Sequence, residues 1–519
     1  MRHVVISAAA LALACSSVED RAACATSVEC PAGQYCARTA DGNVCWPDAV
    51  APVVSSVSAS CSTTPCLRDG VLRVEATVAE DEQVAGVEVA LDLDAGARKV
   101  AMTLSGGRWL AELPLREWPF EAYARPVVAS VVARDGARNE GGGAAAAVEV
   151  TRLRWERSLG SGQALTSAAV TDSGMILVAN TAGELHFIAS QGDPARDPIP
   201  VTGAQIVAAP TIGKDAIWIG SVDGTLYPVT PDGSQVGTGC ATGERIASTP
   251  ALLVNESRAA AGSQASIIVT ATAAGSCNAT TTDAPVMASP VVASTGEILS
   301  PSTSVFESFT PTTAGALRPN WSRPYPVVGD GVVAPPAVDA DNGVWSVALD
   351  GSVHRTRPDG STAKMTTVGS SASGIVILRD GSVVIGDLTG RVRRTAASGT
   401  APWSDSGQLN GVPAAPMVVS GPSTQLIVPT STGRLYAVRE SDGSIAWSVK
   451  LSAAGAALQP ANIYTTPGQP AGAVMSTAYV AGADGKLYAV IVDGQLDTAA
   501  PWPKAFHDPR NTNNAGTQP

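Results

Sequence analysis

The sequence is poor in the residues on which most catalytic and nucleic-acid-binding sites depend. Only 4 of the 519 residues are histidine, aromatic residues make up 4% and charged residues 15%. Asp and Glu (46) outnumber Lys and Arg (34), which gives a net charge of −12 at pH 7. Because phosphate binding requires a basic face that releases counterions, this balance argues against nucleic acid as a partner. It argues equally against docking on anionic lipid through a polybasic patch.

Long apolar runs and catalytic motifs are missing as well. No stretch of the sequence reaches the roughly 18 apolar residues that a transmembrane helix needs. No nucleophile elbow precedes a helix, and the glycines fall in hairpin turns rather than in phosphate-binding loops. What is abundant is glycine (51) and proline (36), and with 45% hydrophobic residues this composition indicates a folded, turn-rich protein of several domains.

The N-terminus has the form of an export signal. Arg2 and His3 precede an apolar run over residues 4–14, which is too short to span a bilayer. We therefore expect residues 1–14 to be a signal peptide and the mature protein to leave the cytoplasm.

The end of this run resembles the bacterial lipobox, in which a cysteine after small residues is lipidated and becomes the new N-terminus. The matching stretch is Ala12-Leu13-Ala14-Cys15, and we expect Cys15 to carry the lipid and residues 15–23 to be a linker. Ala12-x-Ala14 also suits an ordinary signal peptidase, so cleavage without lipidation is the alternative. Ser16, rather than aspartate, follows the cysteine, which by resemblance to bacterial sorting rules implies the outer membrane.

The cysteine count fits this interpretation. Nine cysteines are an odd number for an exported chain, but lipidation of one leaves eight, which can pair completely. Residues 24–49 are too few for a useful hydrophobic core, so cross-links must hold them, and zinc is the alternative, although no Cys-x-x-Cys pair is present. We expect disulfides among Cys24, Cys30, Cys36 and Cys45 in one of three connectivities, between Cys61 and Cys66, and between Cys240 and Cys277.

Residues 50–153 are predicted to form a small immunoglobulin-like β-sandwich. Residues 72–78 alternate apolar and polar side chains, as half-buried strands do, and Gly106-Gly107 predicts a hairpin turn. Residues 131–139 resemble the penultimate-strand ending of bacterial immunoglobulin-like domains, and residues 141–147 are then predicted to be the loop into the last strand. Such domains usually act as stalks or spacers.

The rest of the chain, residues 154–510, is a repeat array, followed by a tail at 511–519. In each repeat a tight turn joins two strands, and the second strand opens with glycine, a variable residue and an aliphatic residue. A spacing of roughly 36 to 52 residues between these glycines is the period of a four-stranded blade, so we predict an eight-bladed β-propeller. The glycines are Gly183, Gly224, Gly275, Gly315, Gly351, Gly390, Gly433 and Gly485.

Two further features of the array concern the axis and the closure of the ring. Small residues precede the first strand of a repeat, as in Ala208-Ala209-Pro210, and we expect them near the axis, where space narrows. The strand at Trp155 precedes the first complete repeat and is predicted to complete the last blade, which leaves no open sheet edge.

Residues 154–510 resemble the quinoprotein alcohol dehydrogenase-like propellers. The resemblance lies in Leu435-Tyr436-Ala437-Val438, Leu487-Tyr488-Ala489-Val490, Asp442 to Trp447, and the terminal Trp502 to Pro509. It implies the propeller fold and, for the enzymes of that family, calcium and a quinone held at the funnel mouth by Glu, Asn and Asp, often beside two adjacent cysteines. This chain has no adjacent cysteines, so we expect no cofactor, no metal site and no catalytic residues.

Two other patterns invite site chemistry but have simpler explanations. His186 and His354 occupy equivalent strand positions in different repeats, which favours packing over metal ligation. Residues 339–343 (Asp-Ala-Asp-Asn-Gly) suggest calcium, but no glutamate follows at the spacing of an EF-hand, and Asp-Asn-Gly between strands predicts a hairpin turn.

The sequence therefore favours an exported, non-catalytic lipoprotein, anchored to the outer membrane or cell surface and expected to be a monomer. Its propeller is expected to bind a protein or peptide partner of the cell envelope, because the superfamily includes a periplasmic lipoprotein of outer-membrane protein assembly. A quinone-dependent dehydrogenase is one alternative. A surface adhesin or glycan-binding protein is the other, and aromatic residues exposed on one propeller face would favour it.

Overall fold

The computed structural model describes residues 21–79, 84–93, 98–324, 331–369, 373–396, 401–470 and 472–519; the predicted signal peptide and Cys15 lie outside them. The chain divides into two units, Met1–Phe120 with Arg125–Val150, and Glu121–Ala124 with Thr151–Pro519. The described residues form β-strands, two 3₁₀ turns (Ser27–Glu29 and Leu115–Glu117) and no α-helix. None of their helical segments is long and apolar enough to cross a membrane.

The first unit begins with a short hairpin and continues with two larger antiparallel sheets. Hairpin β1–β2 precedes the sheets β3-β5-β9-β8 and β12-β11-β6-β7, and a third sheet has the order β10-β13-β4. The strands are β1 Gln34–Thr39, β2 Gly42–Pro47, β3 Val53–Cys61, β4 Cys66–Leu67, β5 Val71–Ala79, β6 Val84–Leu91, β7 Val100–Ala101, β8 Thr103–Ser105, β9 Arg108–Pro114, β10 Ala124–Val127, β11 Ala129–Asp135, β12 Glu140–Ala144 and β13 Val148–Thr151.

Alternation of burial along the strands builds the core of this unit. Leu72 and Val74 of β5, Val89 of β6 and Val131 of β11 are at most 1% exposed, while their neighbours along each strand face outward. The period-two pattern of residues 72–78 therefore predicted β5 correctly.

The prediction of a loop over residues 141–147 is wrong, because the structure has a strand, β12, that pairs with β11. Glycine is required there by close packing rather than by a turn. A Cβ atom on Gly141 would lie 1.6 Å from the carbonyl oxygen of Pro52, so only glycine lets the two backbones approach.

The second unit consists, within the described residues, of eight antiparallel sheets made from successive strands. The strands of the first four are β14 Leu153–Ser158, β15 Ala169–Val170, β16 Ile176–Ala179, β17 Glu184–Ile188, β18 Ile199–Pro200, β19 Thr211–Ile212, β20 Ile217–Gly220, β21 Thr225–Val229, β22 Cys240–Ala241, β23 Ala251–Leu252, β24 Arg258–Ser263, β25 Ile267–Thr272, β26 Cys277–Thr281, β27 Val291–Val292, β28 Ile298–Pro301, β29 Val305–Pro311 and β30 Leu317–Pro324. Sheet 1 is β15–β18, sheet 2 is β19–β22, sheet 3 is β23–β26 and sheet 4 is β27–β30, while β14 belongs to sheet 8.

The remaining strands continue the pattern. They are β31 Ala337–Val338, β32 Val344–Val347, β33 Ser352–Thr356, β34 Thr362–Thr367, β35 Val376–Ile377, β36 Val383–Gly386, β37 Val392–Thr395, β38 Met417–Ser420, β39 Gln425–Pro429, β40 Arg434–Arg439, β41 Ile445–Lys450, β42 Asn462–Tyr464, β43 Met475–Gly482, β44 Lys486–Asp493 and β45 Gln495–Leu496. Sheet 5 is β31–β34, sheet 6 is β35–β37, sheet 7 is β38–β41 with β45 added beside β38, and sheet 8 is β42–β44 with β14.

The glycine pattern marks the turn between the second and third strands in six sheets. In sheets 1, 2, 5, 6, 7 and 8 this glycine has a positive φ of 74° to 85°, a conformation that residues with a Cβ rarely adopt. β14 pairs with β44, so the strand at Trp155 completes the last sheet as predicted.

The weaker repeat members, Gly275 and Gly315, were assigned to the wrong turn. Both lie between the third and fourth strands of their sheets, Gly275 before β26 and Gly315 before β30. In sheet 3 the expected turn is made by Ser266 at a φ of 54°, and in sheet 4 it runs through Ser302. The pattern failed there because a serine-containing turn replaces the glycine.

Tryptophans of an outer strand fasten one sheet to the next. The indole of Trp155 donates to the Ser190 carbonyl (3.0 Å), and that of Trp321 donates to the Pro358 carbonyl (2.9 Å). Each ring covers a glycine with positive φ in the neighbouring sheet, at 192 and 360, where a Cβ would come within 3 Å of the ring. Trp403, in the segment between β37 and β38, makes the equivalent contact between sheets 6 and 7, since its indole donates to the Glu440 carbonyl (2.7 Å) and its ring covers Gly443.

Candidate functional site

The predicted disulfide cysteines are paired in the structure. The connectivity of the N-terminal segment, which the sequence leaves open, is Cys24–Cys36 and Cys30–Cys45. The sulfur atoms of Cys24, Cys30 and Cys45 lie within 4.8 Å of one another, but disulfide sulfurs are not thiolate ligands, which disfavours the zinc alternative. The other two disulfides are Cys61–Cys66 and Cys240–Cys277, and the second joins β22 of sheet 2 to β26 of sheet 3.

The two equivalent histidines are buried in their sheets. His186 pairs with Val178 and His354 with Ser346, at matching places in sheets 1 and 5. They are 8% and 0% exposed, and burial lowers the pKa of both imidazoles. Their place between strands supports the packing role.

The aspartate-rich turn at 339–343 is a hairpin turn. One carboxylate oxygen of Asp339 accepts the backbone N–H of Gly343 (2.8 Å), and the other accepts the Trp345 indole (2.9 Å) and the Arg355 guanidinium (2.7 Å). Asn342 has a φ of 59°, as such a turn requires. The carboxylate is therefore engaged by its own sheet, which disfavours the calcium alternative.

A funnel opens where the first strands of the sheets converge. First strands of successive sheets contact each other: β15 contacts β19, β23 contacts β27, β27 contacts β31 and β31 contacts β35. β15 also contacts β42, the first strand of sheet 8. A cavity of about 290 Å³ lies among the residues that precede these strands. The small residues expected near the axis are at this place.

The funnel wall repeats with the sheets. Four residues before the first strand, an apolar side chain forms what we call the rim: Leu165, Val207, Ala247, Met287, Val333 and Pro413. Two residues before the first strand, a small or compact residue forms the throat: Ser167, Ala209, Thr249, Ser289, Pro335, Gly374, Ala415 and Pro460. The rim is partly exposed except at the buried Pro413.

Hydrogen bonds between neighbouring sheets hold the throat. The Ala209 N–H donates to the Thr249 hydroxyl (3.1 Å), and the Thr249 N–H donates to the Ser289 hydroxyl (2.9 Å). The hydroxyl side chains of the throat therefore link sheets 2, 3 and 4, which explains why serine and threonine occur in so buried a place.

The C-terminal segment closes the other end of the funnel. Backbone N–H groups of four first strands donate to its carbonyls, from Val170 to Pro509 (2.7 Å), Ile212 to Arg510 (2.9 Å), Leu252 to Thr512 (2.9 Å) and Val292 to Asn513 (2.8 Å). Ile377 and Val418 of sheets 6 and 7 donate in the same way to Trp502 and Pro503. We call residues 502–515 the axial segment.

Phe506 of the axial segment forms the floor of the funnel. It packs with Ala209, Ala415 and Ala505 and is 6% exposed. Phe506 and His507 both have positive φ values, 65° and 78°, which residues with large side chains adopt only when the surroundings impose it. The fold therefore fixes the floor in one position.

A buried polar network holds the axial segment beneath that floor. The Lys504 ammonium is fully buried and donates to the Ala505 carbonyl (2.6 Å), the Asp508 carbonyl (3.0 Å) and the Asn511 side-chain oxygen (2.8 Å). The Asn511 amide in turn donates to the carbonyls of Ala168 (3.0 Å) and Pro210 (3.1 Å), one in each of the first two sheets. Burial lowers the pKa of Lys504 to about 7.

The interpretation of residues 511–519 as a tail does not hold for residues 511–514. Residues 511–514 are at most 1% exposed and lie at the centre of the second unit. The sequence carries one signal of this segment, the motif from Trp502 to Pro509, but no local pattern connects the asparagine-rich residues that follow it with the axis.

The funnel does not fit the calcium and quinone of the enzymes that the sequence resembles. Those groups require carboxylates, whereas the side chains lining the funnel among the described residues include no Asp, Glu, His, Lys or Arg. The exposed large hydrophobic residues of the described chain are valines and leucines, so the aromatic face expected of a glycan binder is not found there.

Comparison with known proteins identifies the fold. No family model and no curated protein matches the chain. The crystal structure of BamB from Moraxella catarrhalis superposes with a TM-score of 0.52 at 14% identity, over 65% of this chain and 98% of that one. A crystal structure of the computationally designed Ika8 protein gives 0.50 at 14% identity, over 64% and 98%. At this identity the likeness shows the fold alone, which is a β-propeller.

Proposed function

We propose that this protein is a non-catalytic cell-envelope lipoprotein whose β-propeller binds a protein or peptide partner at the funnel. The observation that carries the proposal is the funnel itself, which has an aliphatic rim, a throat of small residues and a floor closed by Phe506. Its described lining residues carry no charge. Such a lining accepts apolar side chains and gives no group that could activate a substrate. Similarity to BamB supports the fold of this binding unit.

The rest of the chain is proposed to present the propeller. We infer that the eight sheets are eight blades of one ring, that the sheets of the first unit are an immunoglobulin-like spacer, and that a lipid on Cys15 holds the protein at the outer membrane or cell surface. The alternating burial in β5, β6 and β11 supports the spacer, and the disulfides support an oxidising compartment.

A substitution that narrows the rim tests the binding function. Ala247 lies at a rim position where other sheets carry Leu, Val or Met, so a larger side chain is sterically acceptable there. We expect the native protein to migrate as a larger complex in native electrophoresis of gently solubilised membranes, and Ala247→Trp to abolish that complex. Ala279→Trp, on the exposed outer strand β26 of the same sheet, is the matched control. A complex unaffected by Ala247→Trp would show that the funnel is not the binding site.

A further inference from the structure

The channel of the propeller already binds one peptide, which is the protein's own C-terminus. The axial segment enters from one end, and the first strands of six sheets donate backbone hydrogen bonds to its carbonyls. Its Phe506 is the residue that reaches the throat, where it contacts alanines of sheets 2 and 7. The channel thus holds a turn-rich peptide segment through backbone hydrogen bonds, with an aromatic side chain on the axis.

The unfilled part of the channel continues the same interface. Ala415 lines the cavity and also packs against Phe506, so one wall serves both the bound segment and the open funnel. The eight throat positions surround the axis at this level. A ligand that enters from the rim therefore meets the wall that holds Phe506, and then Phe506 itself.

The size and polarity of the cavity restrict the ligand further. A volume of about 290 Å³ is at the small end of the range for ligand pockets, which suits one large side chain rather than a whole cofactor. Thr249 and Ser289 each accept one backbone N–H. A hydroxyl that accepts a hydrogen bond still has a hydrogen to donate, which a peptide carbonyl could accept. The part of the lining that the structure describes carries no charge, which disfavours an ionised side chain as ligand.

We propose that the funnel binds a peptide segment of its partner through one aromatic side chain, which enters past the rim and packs on Phe506. This inference rests on the proposed function and names the class of partner. Aromatic rings pair favourably in offset or edge-to-face arrangements, so Phe506 gives the site a preference for Phe, Tyr or Trp over aliphatic residues of similar size.

Selection from a phage-displayed library of random heptapeptides on the full-length protein tests the proposal. We expect the enriched peptides to share one aromatic residue and no charge beside it. Synthetic copies should bind at least tenfold more weakly when that residue is changed to Ala. Binding should be lost with Ala247→Trp and kept with Ala279→Trp. With Phe506→Leu, the preference for aromatic over aliphatic peptides should fall at least threefold.

The possible failures separate this proposal from the proposed function. Enriched peptides without an aromatic residue, binding that Ala247→Trp leaves intact, or no enrichment at all would each overturn the aromatic-peptide assignment. Native electrophoresis tests independently whether a membrane complex forms and whether Ala247→Trp abolishes it, so a funnel that binds its partner by another kind of segment would be recognised as such.

Discussion

Arg152 is a buried cation at the point where β14 joins sheet 8. It is fully buried directly before β14, donates from Nε to the Ala122 carbonyl (2.9 Å) and from Nη1 to the Ile491 carbonyl (3.3 Å), and forms an ion pair with Asp493. Its guanidinium also lies 5.4 Å from the centre of the Trp447 ring. One cation thus connects β14, β44 and sheet 7.

Replacing Arg152 by Ala should release β14. Removing one partner of a buried, hydrogen-bonded ion pair costs about 3–5 kcal/mol, because the other groups remain buried without compensation. Lys486→Ala is the control, since Lys486 pairs with Glu156 across the same two strands but both side chains are well exposed (39% and 48%), and such pairs contribute about 0–1 kcal/mol.

Amide hydrogen exchange of β14 measures the difference directly. A loss of about 3 kcal/mol in the free energy of opening corresponds to exchange that is roughly 150-fold faster, and we expect this for residues 153–158 in Arg152→Ala. The control should change the rate less than about fivefold. Equal exchange in the two variants would refute the idea that Arg152 holds the ring closed.

Three further predictions concern stability. Burial raises the pKa of Glu307 from 4.5 to about 7, so its contribution to stability is fully present below pH 4.5 and is lost as the pH rises through 7. Glu307→Gln should therefore remove about 2–3 kcal/mol of the change in unfolding free energy between pH 5 and 8.5. Parallel profiles of melting temperature against pH for the two proteins would contradict this. The Cys240–Cys277 disulfide closes a loop with a sequence separation of 37. Replacing both cysteines by Ala should lower the free energy of unfolding, measured with denaturant, by about 3–4 kcal/mol. A denaturation midpoint equal to that of the native protein would show that the bond is dispensable. Gly360→Ala should lower the melting temperature because Gly360 has a positive φ and an added Cβ would meet the Trp321 ring. Gly468→Ala is the control for the backbone effect alone, since Gly468 also has a positive φ but an added Cβ would meet no atom within 4 Å. Equal decreases in melting temperature would exclude a contribution from the tryptophan contact.

Local chemistry explains which parts of this fold the sequence predicted. Glycines with positive φ, such as Gly183 and Gly433, are required by tight turns whatever the rest of the chain does, so their spacing reveals the repeat. Sheets 3 and 4 were misaligned because turns such as that at Ser266 use serine, which has no comparable signature.

The axial segment could not be predicted because its partners are remote in sequence. Asn511 bonds to Ala168, 343 positions away, and local patterns carry no information on such a contact. Lys504 illustrates the same limit, since a lone lysine in a polar C-terminal stretch is normally exposed, and only the assembled ring supplies the three acceptors that let it be buried. The funnel depends on this segment for its floor, so local sequence patterns predict the site only in part.

Site-specific photo-crosslinking in intact cells tests most directly whether the funnel binds a partner. p-Benzoylphenylalanine at the rim position Met287 should give a discrete crosslinked species with one envelope protein, and at the exposed β26 position Ala279 it should give none. The Met287 crosslink should disappear when Ala247→Trp is introduced in the same chain. Crosslinking that is equal at the two positions, or unchanged by the narrowed rim, would contradict a binding function of the funnel.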